Sequence, residues 1–249
     1  MNDPTPRLRM FAGPNGSGKS TLKRVLPERL LGIYLNPDDI EQEIRSRSFL
    51  DLSSYGIGEA ADSVLSFFTN SDFLKTQQLA DAAQRLTYHD GRLSFSNVEV
   101  NSYFASVASD FIRQALINNM TSFTIETVMS HPSKVELLAE GQTSGFRTYL
   151  YFIATDDPEI NISRVRNRVK LGGHSVPVNR IEQRYYRSLD LLMDAIRKAN
   201  RAYIFDNSGD NQDHTWLAEI TDGKNLELKS SLIPMWFKRS VLDKAKPNT

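Results

Sequence analysis

The sequence predicts an α/β fold: a parallel sheet flanked by helices, with a helical insertion after the second strand and a C-terminal hairpin. Three observations carry that expectation. Short apolar runs near residues 8, 33, 121, 149 and 202 alternate with stretches of helical spacing, as in a parallel sheet built from crossover units. A glycine-rich loop follows the first of these runs and opens a helical stretch. Near the C-terminus, residues 216–228 hold two strand-like segments around Asp222-Gly223-Lys224, a turn signal.

The glycine-rich loop is Gly13-Pro14-Asn15-Gly16-Ser17-Gly18-Lys19-Ser20, which satisfies G-x-x-x-x-G-K-[ST] at every fixed position. It makes the fold a P-loop, NTPase- or kinase-type sheet. The glycines let the backbone wrap a phosphate chain with its N–H groups inward, and the following helix adds the positive end of its dipole. Lys19 supplies a point charge toward the outer phosphates. Ser20 is placed for Mg²⁺, a hard cation that takes oxygen ligands and keeps waters and substrate phosphates in its shell. Leu8, Met10, Phe11 and Ala12 predict the preceding strand, and Thr21–Leu30 the helix that follows.

Ile33-Tyr34-Leu35 is a second strand leading into Asn36-Pro37-Asp38-Asp39-Ile40. A carboxylate at the carboxyl edge of such a sheet is a candidate base for an attacking hydroxyl, so Asp38 and Asp39 both qualify. An Asp after Asn-Pro equally serves as the N-cap of a helix starting near Ile40. From Glu41 to about Arg85 the pattern is largely helical, with Phe67, Phe68, Phe73, Leu74 and Leu79 as core positions and Gly56 and Gly58 as interruptions. Residues 86–100 predict a hairpin at Asp90-Gly91. A helix over 103–118 then buries Phe104, Val107, Phe111 and Leu116. The stretch 41–118 is an insertion that shapes the pocket of a second substrate.

Thr121–Thr127 is a strand ending in Glu126 and Thr127, a carboxylate and a hydroxyl suited to a polyhydroxyl substrate. His131 before Pro132 reads as a turn residue. The run 149–154 closes on Asp156-Asp157-Pro158; Asp156 is a rival Mg²⁺ ligand in the Walker B manner, and Asp157-Pro158 is a capping pair. Arg164, Arg166, Arg168 and Lys170 precede Gly172-Gly173-His174, and Arg180, Arg184 and Arg187 follow at helical spacing. A basic helix, a glycine hinge and a second basic helix over 164–187 predict a lid over transferring phosphates. A last parallel strand, 202–205, ends at Asp206-Asn207-Ser208, and a short amphipathic helix lies near Trp236 and Leu242.

The chain has 249 residues, the size of one large α/β domain, and the reading is a single domain over 1–249 with its hairpin and helix in 210–249. Thirty basic residues balance thirty acidic ones, which argues against a nucleic-acid or membrane surface. The absence of cysteine excludes disulfides, thiolate metal sites and a cysteine nucleophile. No stretch approaches the roughly 20 apolar residues needed to cross a bilayer. These features predict a soluble, cytoplasmic protein.

Taken together, GPNGSGKS, Asn36-Pro37-Asp38, the strand-end Glu126-Thr127, RVRNRV-x-x-GGHSVP, RYYRSL at 184–189 and DNS at 206–208 resemble the zeta toxin family of bacterial P-loop kinases. The resemblance implies transfer of the γ-phosphoryl group of ATP or GTP to a sugar hydroxyl of UDP-N-acetylglucosamine or a related UDP-sugar, with Mg²⁺. It implies a nucleotide cradle of Gly13, Asn15, Gly16, Ser17, Gly18, Lys19, Ser20 and Thr21, with Lys19 on the phosphates and Ser20 on the metal. It assigns the base to Asp38 and a substrate side to Asn36, Asp38, Glu126 and Thr127. Arg164 matches the first lid arginine. At the place of the second stands His174, with Arg168, Arg180 and Arg184 as alternatives, and Arg168 is taken with Arg164 as catalytic. An antitoxin protein is implied as partner. The competing readings are a kinase for another acceptor, such as a nucleotide or a nucleic-acid 5′-end, and a nucleotide-dependent ATPase switch. The switch lacks N-K-x-D and L-S-G-G-Q signatures here.

Overall fold

The computed structural model describes residues 5–23, 26–173, 175–209 and 214–245. Its strands in chain order are β1 (Arg7–Ala12), β2 (Ile33–Leu35), β3 (Phe49–Asp51), β4 (Thr87–His89), β5 (Arg92–Ser94), β6 (Phe123–Thr127), β7 (Arg147–Ala154), β8 (Arg201–Asp206), β9 (Thr215–Thr221) and β10 (Asn225–Leu228). The chain forms two compact units, one of residues 1–32 with 124–249 and one of residues 33–123.

The first unit holds a mixed sheet in the order β10-β9-β8-β7-β1-β6. β1 runs parallel to β7 and β7 parallel to β8, with Ala12 opposite Phe152 and Ala154 opposite Asp206. The carboxyl ends of these strands therefore lie along one edge, where ligands bind in open α/β sheets. The predicted C-terminal hairpin is present, turning at Asp222-Gly223, and it extends this sheet: β9 pairs antiparallel with β8 and β10 with β9.

Strand alternation places Leu8, Met10 and Ala12 on one face with Thr148, Leu150, Phe152 and Ala154, and with Ala202 and Ile204; all are buried. The helix Pro132–Thr143 packs there through Gly141, where an added Cβ would stand 2.9 Å from a methyl of Leu8. Trp236 and Phe237 cover the far end, Trp236 donating to Asp206 Oδ1 at 2.8 Å.

The second unit is built on phenylalanines. Phe67 meets Phe111 and Phe68, Phe68 meets Phe95, and Phe95 meets Phe104, all edge to face. The helix Ser102–Asn118, capped by Asn101, buries Phe104, Val107, Phe111 and Leu116 as expected. The hairpin at Asp90-Gly91 forms, and β3 completes a small sheet in the order β3-β5-β4.

Several expectations are corrected. Residues 41–85 are largely helical, as expected, but the helix Pro37–Arg47 stops at Ser48 in the left-handed region (φ 62), and the unexpected strand β3 follows. Beyond Gly56 and Gly58 the helical stretch consists of three short helices, Ala61–Thr69, Asp72–Thr76 and Ala80–Ala83. Phe73 is 45% exposed and leans on Tyr103 at the surface, and Phe67 and Leu79 are only half-buried. The helix expected over 21–30 appears as Lys19–Leu22 and Glu28–Leu31, the latter starting after Pro27, which has no N–H to continue a helical ladder.

Candidate active site

The phosphate loop leaves β1 at Ala12 and ends at Gly18, the residue before the helix Lys19–Leu22. Gly16 and Gly18 lie at φ 76 and 99, a region that side chains strongly disfavour. Space is closed to a side chain as well. A Cβ on Gly16 would stand 2.6 Å from the carbonyl oxygen of Asn161, and one on Gly18 2.3 Å from the Asn207 amide nitrogen.

Lys19 is buried and folds back over the loop, its Nζ donating to the carbonyls of Gly13 and Pro14, both at 2.9 Å. Ser17 is fully buried, and among the described residues its hydroxyl and Asn15 Oδ1 lack hydrogen-bond partners. Buried polar atoms of this kind call for a partner, such as ordered water or a ligand. Ser20 is exposed in the first turn of the helix. Thr21 donates its hydroxyl to Gly18 O at 2.6 Å and meets His214 Nε2 at 2.7 Å.

The loop is held from outside by two asparagines. Asn161, fully buried in the helix Pro158–Lys170, donates its amide to Asn15 O at 2.7 Å and accepts at Oδ1 from the Thr155 hydroxyl. Asn207, just past β8, donates to Ser17 O at 2.8 Å. Arg164 braces the same segment, its guanidinium donating to Asn207 O at 2.7 Å and Gly209 O at 3.0 Å. Asp206 orders the strand end by accepting from Ser208 Oγ (2.8 Å) and Trp236. The phenol of Tyr185, pushed up by burial and further by Asp156, donates to Thr155 O at 2.7 Å.

Both arms of the predicted lid are helices, Pro158–Lys170 and Val178–Asp190, joined through the Gly172-Gly173 loop and packed through Ile162, Val165 and Ile181 with Val176. Arg168 is exposed one turn beyond Arg164, and its stem lies against Gly173. Arg180 is exposed and Arg184 half-buried on the second arm. His174 lies outside the described residues. The capping reading of Asp157-Pro158 holds, since Asp157 Oδ1 accepts from Glu159 N at 2.8 Å. Asp156 is exposed, its own N–H bonded to Ser208 Oγ. His131 caps the helix Pro132–Thr143, in agreement with a turn role.

Glu126 and Thr127 end β6, both half-buried, and Thr127 Oγ1 accepts from Met129 N at 3.1 Å. In the second unit, the N-cap of the helix Pro37–Arg47 is Asn36, not an aspartate: its side chain accepts from Asp38 N at 3.1 Å. Asp38 and Asp39 stand exposed in the first turn, where carboxylates complement the helix dipole.

Asn161 and His214 were not singled out from sequence. Asn161 carried a readable signal, because it shares the buried stripe of its helix with Ile162 and Val165. A polar residue there needs partners. His214 follows a turn-rich segment with no periodicity to mark it.

A glycine-rich loop between a buried strand and a helix, at the carboxyl edge of parallel strands and braced by a two-helix arm, defines a P-loop α/β fold. A chain of the native AvrRxo1-ORF1:-ORF2 complex shares that fold with a TM-score of 0.55 at 12% identity, over 94% of this chain and 63% of that one. The same complex with ATP gives 0.52 at 13%, over 90% and 61%. This chain thus spans less than two thirds of the length of the structure it resembles. An uncharacterized protein of Haemophilus influenzae is 30% identical over 69 residues, 28% of this chain and 49% of that protein, so the match spans about half of it. No family model matches the chain.

Proposed function

We propose that the protein is a zeta-toxin-like kinase that transfers the γ-phosphoryl group of ATP or GTP to a sugar hydroxyl of UDP-N-acetylglucosamine or a related UDP-sugar. The observation that carries the nucleotide half of this reading is the phosphate loop itself, complete in sequence and folded with Lys19 buried inside it. A structure of the same fold is a complex solved with ATP, which supports a nucleotide as ligand. The acceptor rests on the resemblance of the motif set.

In this reading the nucleotide phosphates lie on residues 13–21, and Lys19 exchanges its carbonyl partners for phosphate oxygens. Asp38 accepts the proton of the sugar hydroxyl as that oxygen bonds to the γ-phosphorus and the bond to the nucleoside diphosphate breaks. Glu126, Thr127 and Asn36 hold the acceptor, and Arg164 with Arg168 neutralises the transferring group. Mg²⁺ would be held by Ser20. The fit is reasonable, because an exposed hydroxyl beside the phosphate cradle suits a cation that takes its other oxygens from phosphates and water. When bound, it supplies charge neutralisation on the phosphate oxygens.

The proposed partner is an antitoxin protein; the similar structures are two-component complexes. The proposed place of action is the cytoplasm, and no helix among the described residues is long and apolar enough to cross a membrane. Measuring nucleotide consumption with and without UDP-sugars tests the class of reaction. Turnover that requires the sugar is expected; equal turnover without it would favour an ATPase switch.

A further inference from the structure

We propose that Asn161 and Asn207 are positioning residues of the phosphate cradle, which turn two loop carbonyls outward and thereby aim the N–H groups of Gly16 and Gly18 at the bound phosphates. The proposal rests on the nucleotide-binding reading above and adds residues that the motif does not contain.

In a trans peptide the C=O of one residue and the N–H of the next point in opposite directions. Asn161 draws the carbonyl of Asn15 outward (2.7 Å), so the N–H of Gly16 faces inward. Asn207 draws the carbonyl of Ser17 outward (2.8 Å), so the N–H of Gly18 faces inward. Among the described residues neither of these N–H groups has a hydrogen-bond acceptor, which leaves both for a ligand.

Each asparagine is itself fixed. The Asn15 carbonyl can only accept, which assigns the Asn161 amide nitrogen to it and leaves Oδ1 to accept from the Thr155 hydroxyl. Asn207 is held at both ends of its backbone, its N–H donating to Ala154 O at 2.8 Å and its carbonyl accepting from Arg164 at 2.7 Å. Asn161 and Arg164 are three residues apart on one helix, so a single face of the lid's first arm secures both sides of the loop. The glycines are the other half of this lock, since a Cβ at residue 16 or 18 would meet Asn161 or Asn207 below 3 Å. Donors held in place before the ligand arrives cost no reorganisation on binding. Asparagine is required in preference to aspartate: a carboxylate of the same shape donates nothing and would repel both the loop carbonyl and the phosphates.

The test is calorimetric binding of ATP and of inorganic tripolyphosphate to the full chain, with folding followed by circular dichroism and melting temperature. Asn161→Ala and Asn207→Ala are expected to weaken both probes by about tenfold or more, and the Asp variants further, while the proteins remain folded. Equal losses for ATP and tripolyphosphate locate the defect at the phosphates. Folded variants that bind ATP within about twofold of the parent would overturn the clamp, as would a loss seen with ATP alone. If Asn161→Ala does not fold, Asn161→Asp and Asn207→Ala decide the matter by the same readings. A parent protein that binds neither probe overturns the nucleotide reading and the clamp with it; a parent that binds, with unaffected variants, overturns the clamp alone.

Discussion

Asp38 carries two readings from its sequence, a helix cap and a general base, and the fold bears on the first alone. Its sequence setting, after Asn-Pro, suits a helix cap, yet Asn36 takes the capping role and leaves the Asp38 carboxylate exposed in the first turn. In the proposed mechanism it is this carboxylate that takes the proton. Asp38→Ala is therefore expected to lower transfer by at least about 100-fold with ATP affinity nearly unchanged, measured by turnover and calorimetry side by side. Gly18 is the opposite case, a residue defined by what it lacks. With φ 99 and no room for a Cβ, Gly18→Ala should cost roughly 1–3 kcal/mol of stability and most of the ATP affinity. Chemical denaturation and ATP titration of the variant check this.

Among the elements, the helix Pro158–Lys170, first arm of the proposed lid, joins a bracing job seen in the fold to a catalytic job that is proposed. Arg164 reads from its motif as a charge for the transferring group, and the fold shows it bonded to the carbonyls of Asn207 and Gly209. Arg164→Ala should therefore lose ATP affinity as well as turnover, whereas loss of turnover alone would assign it solely to the transition state. The two hairpins were legible because Asp-Gly supplies two adjacent residues that accept positive φ, here Asp90-Gly91 and Asp222-Gly223. β3 was not. Ile40 and Ile44 set a helical period that nothing in the residues ends before Phe49, and the helix stops at Ser48 through a left-handed conformation that serine rarely signals. Phe73, a core position by size and apolarity, is instead substantially exposed and packs edge to face on the exposed Tyr103 ring.

At the scale of the whole molecule, buried phenols are expected to make stability fall at alkaline pH. Burial raises Tyr151 and Tyr185 above the ordinary tyrosine value, and Tyr55 in the second unit to about 12. A phenol whose folded value is raised contributes stability in full below about pH 10, and that contribution falls as pH rises through the folded value. Melting temperature should thus drop steeply above pH 10, and less steeply in Tyr185→Phe, which also gives up about 1 kcal/mol from its bond to Thr155. The phosphate loop and the strand-helix alternation were readable at this scale because motif and periodicity are local. The bracing of the loop by Asn161 and Asn207 was not, because those residues lie 146 and 190 positions from their partners and only the closed sheet edge brings them together.

The most direct measurement is a mass-spectrometric search for phosphorylated UDP-sugar after incubating the protein with Mg²⁺-ATP and a mixture of UDP-sugars, with the Asp38→Ala variant in parallel. One added phosphate on a UDP-sugar is expected, made by the parent chain and not by the variant. ATP consumed with every sugar unchanged would contradict the proposed acceptor, and product formed equally by the variant would remove Asp38 as the base.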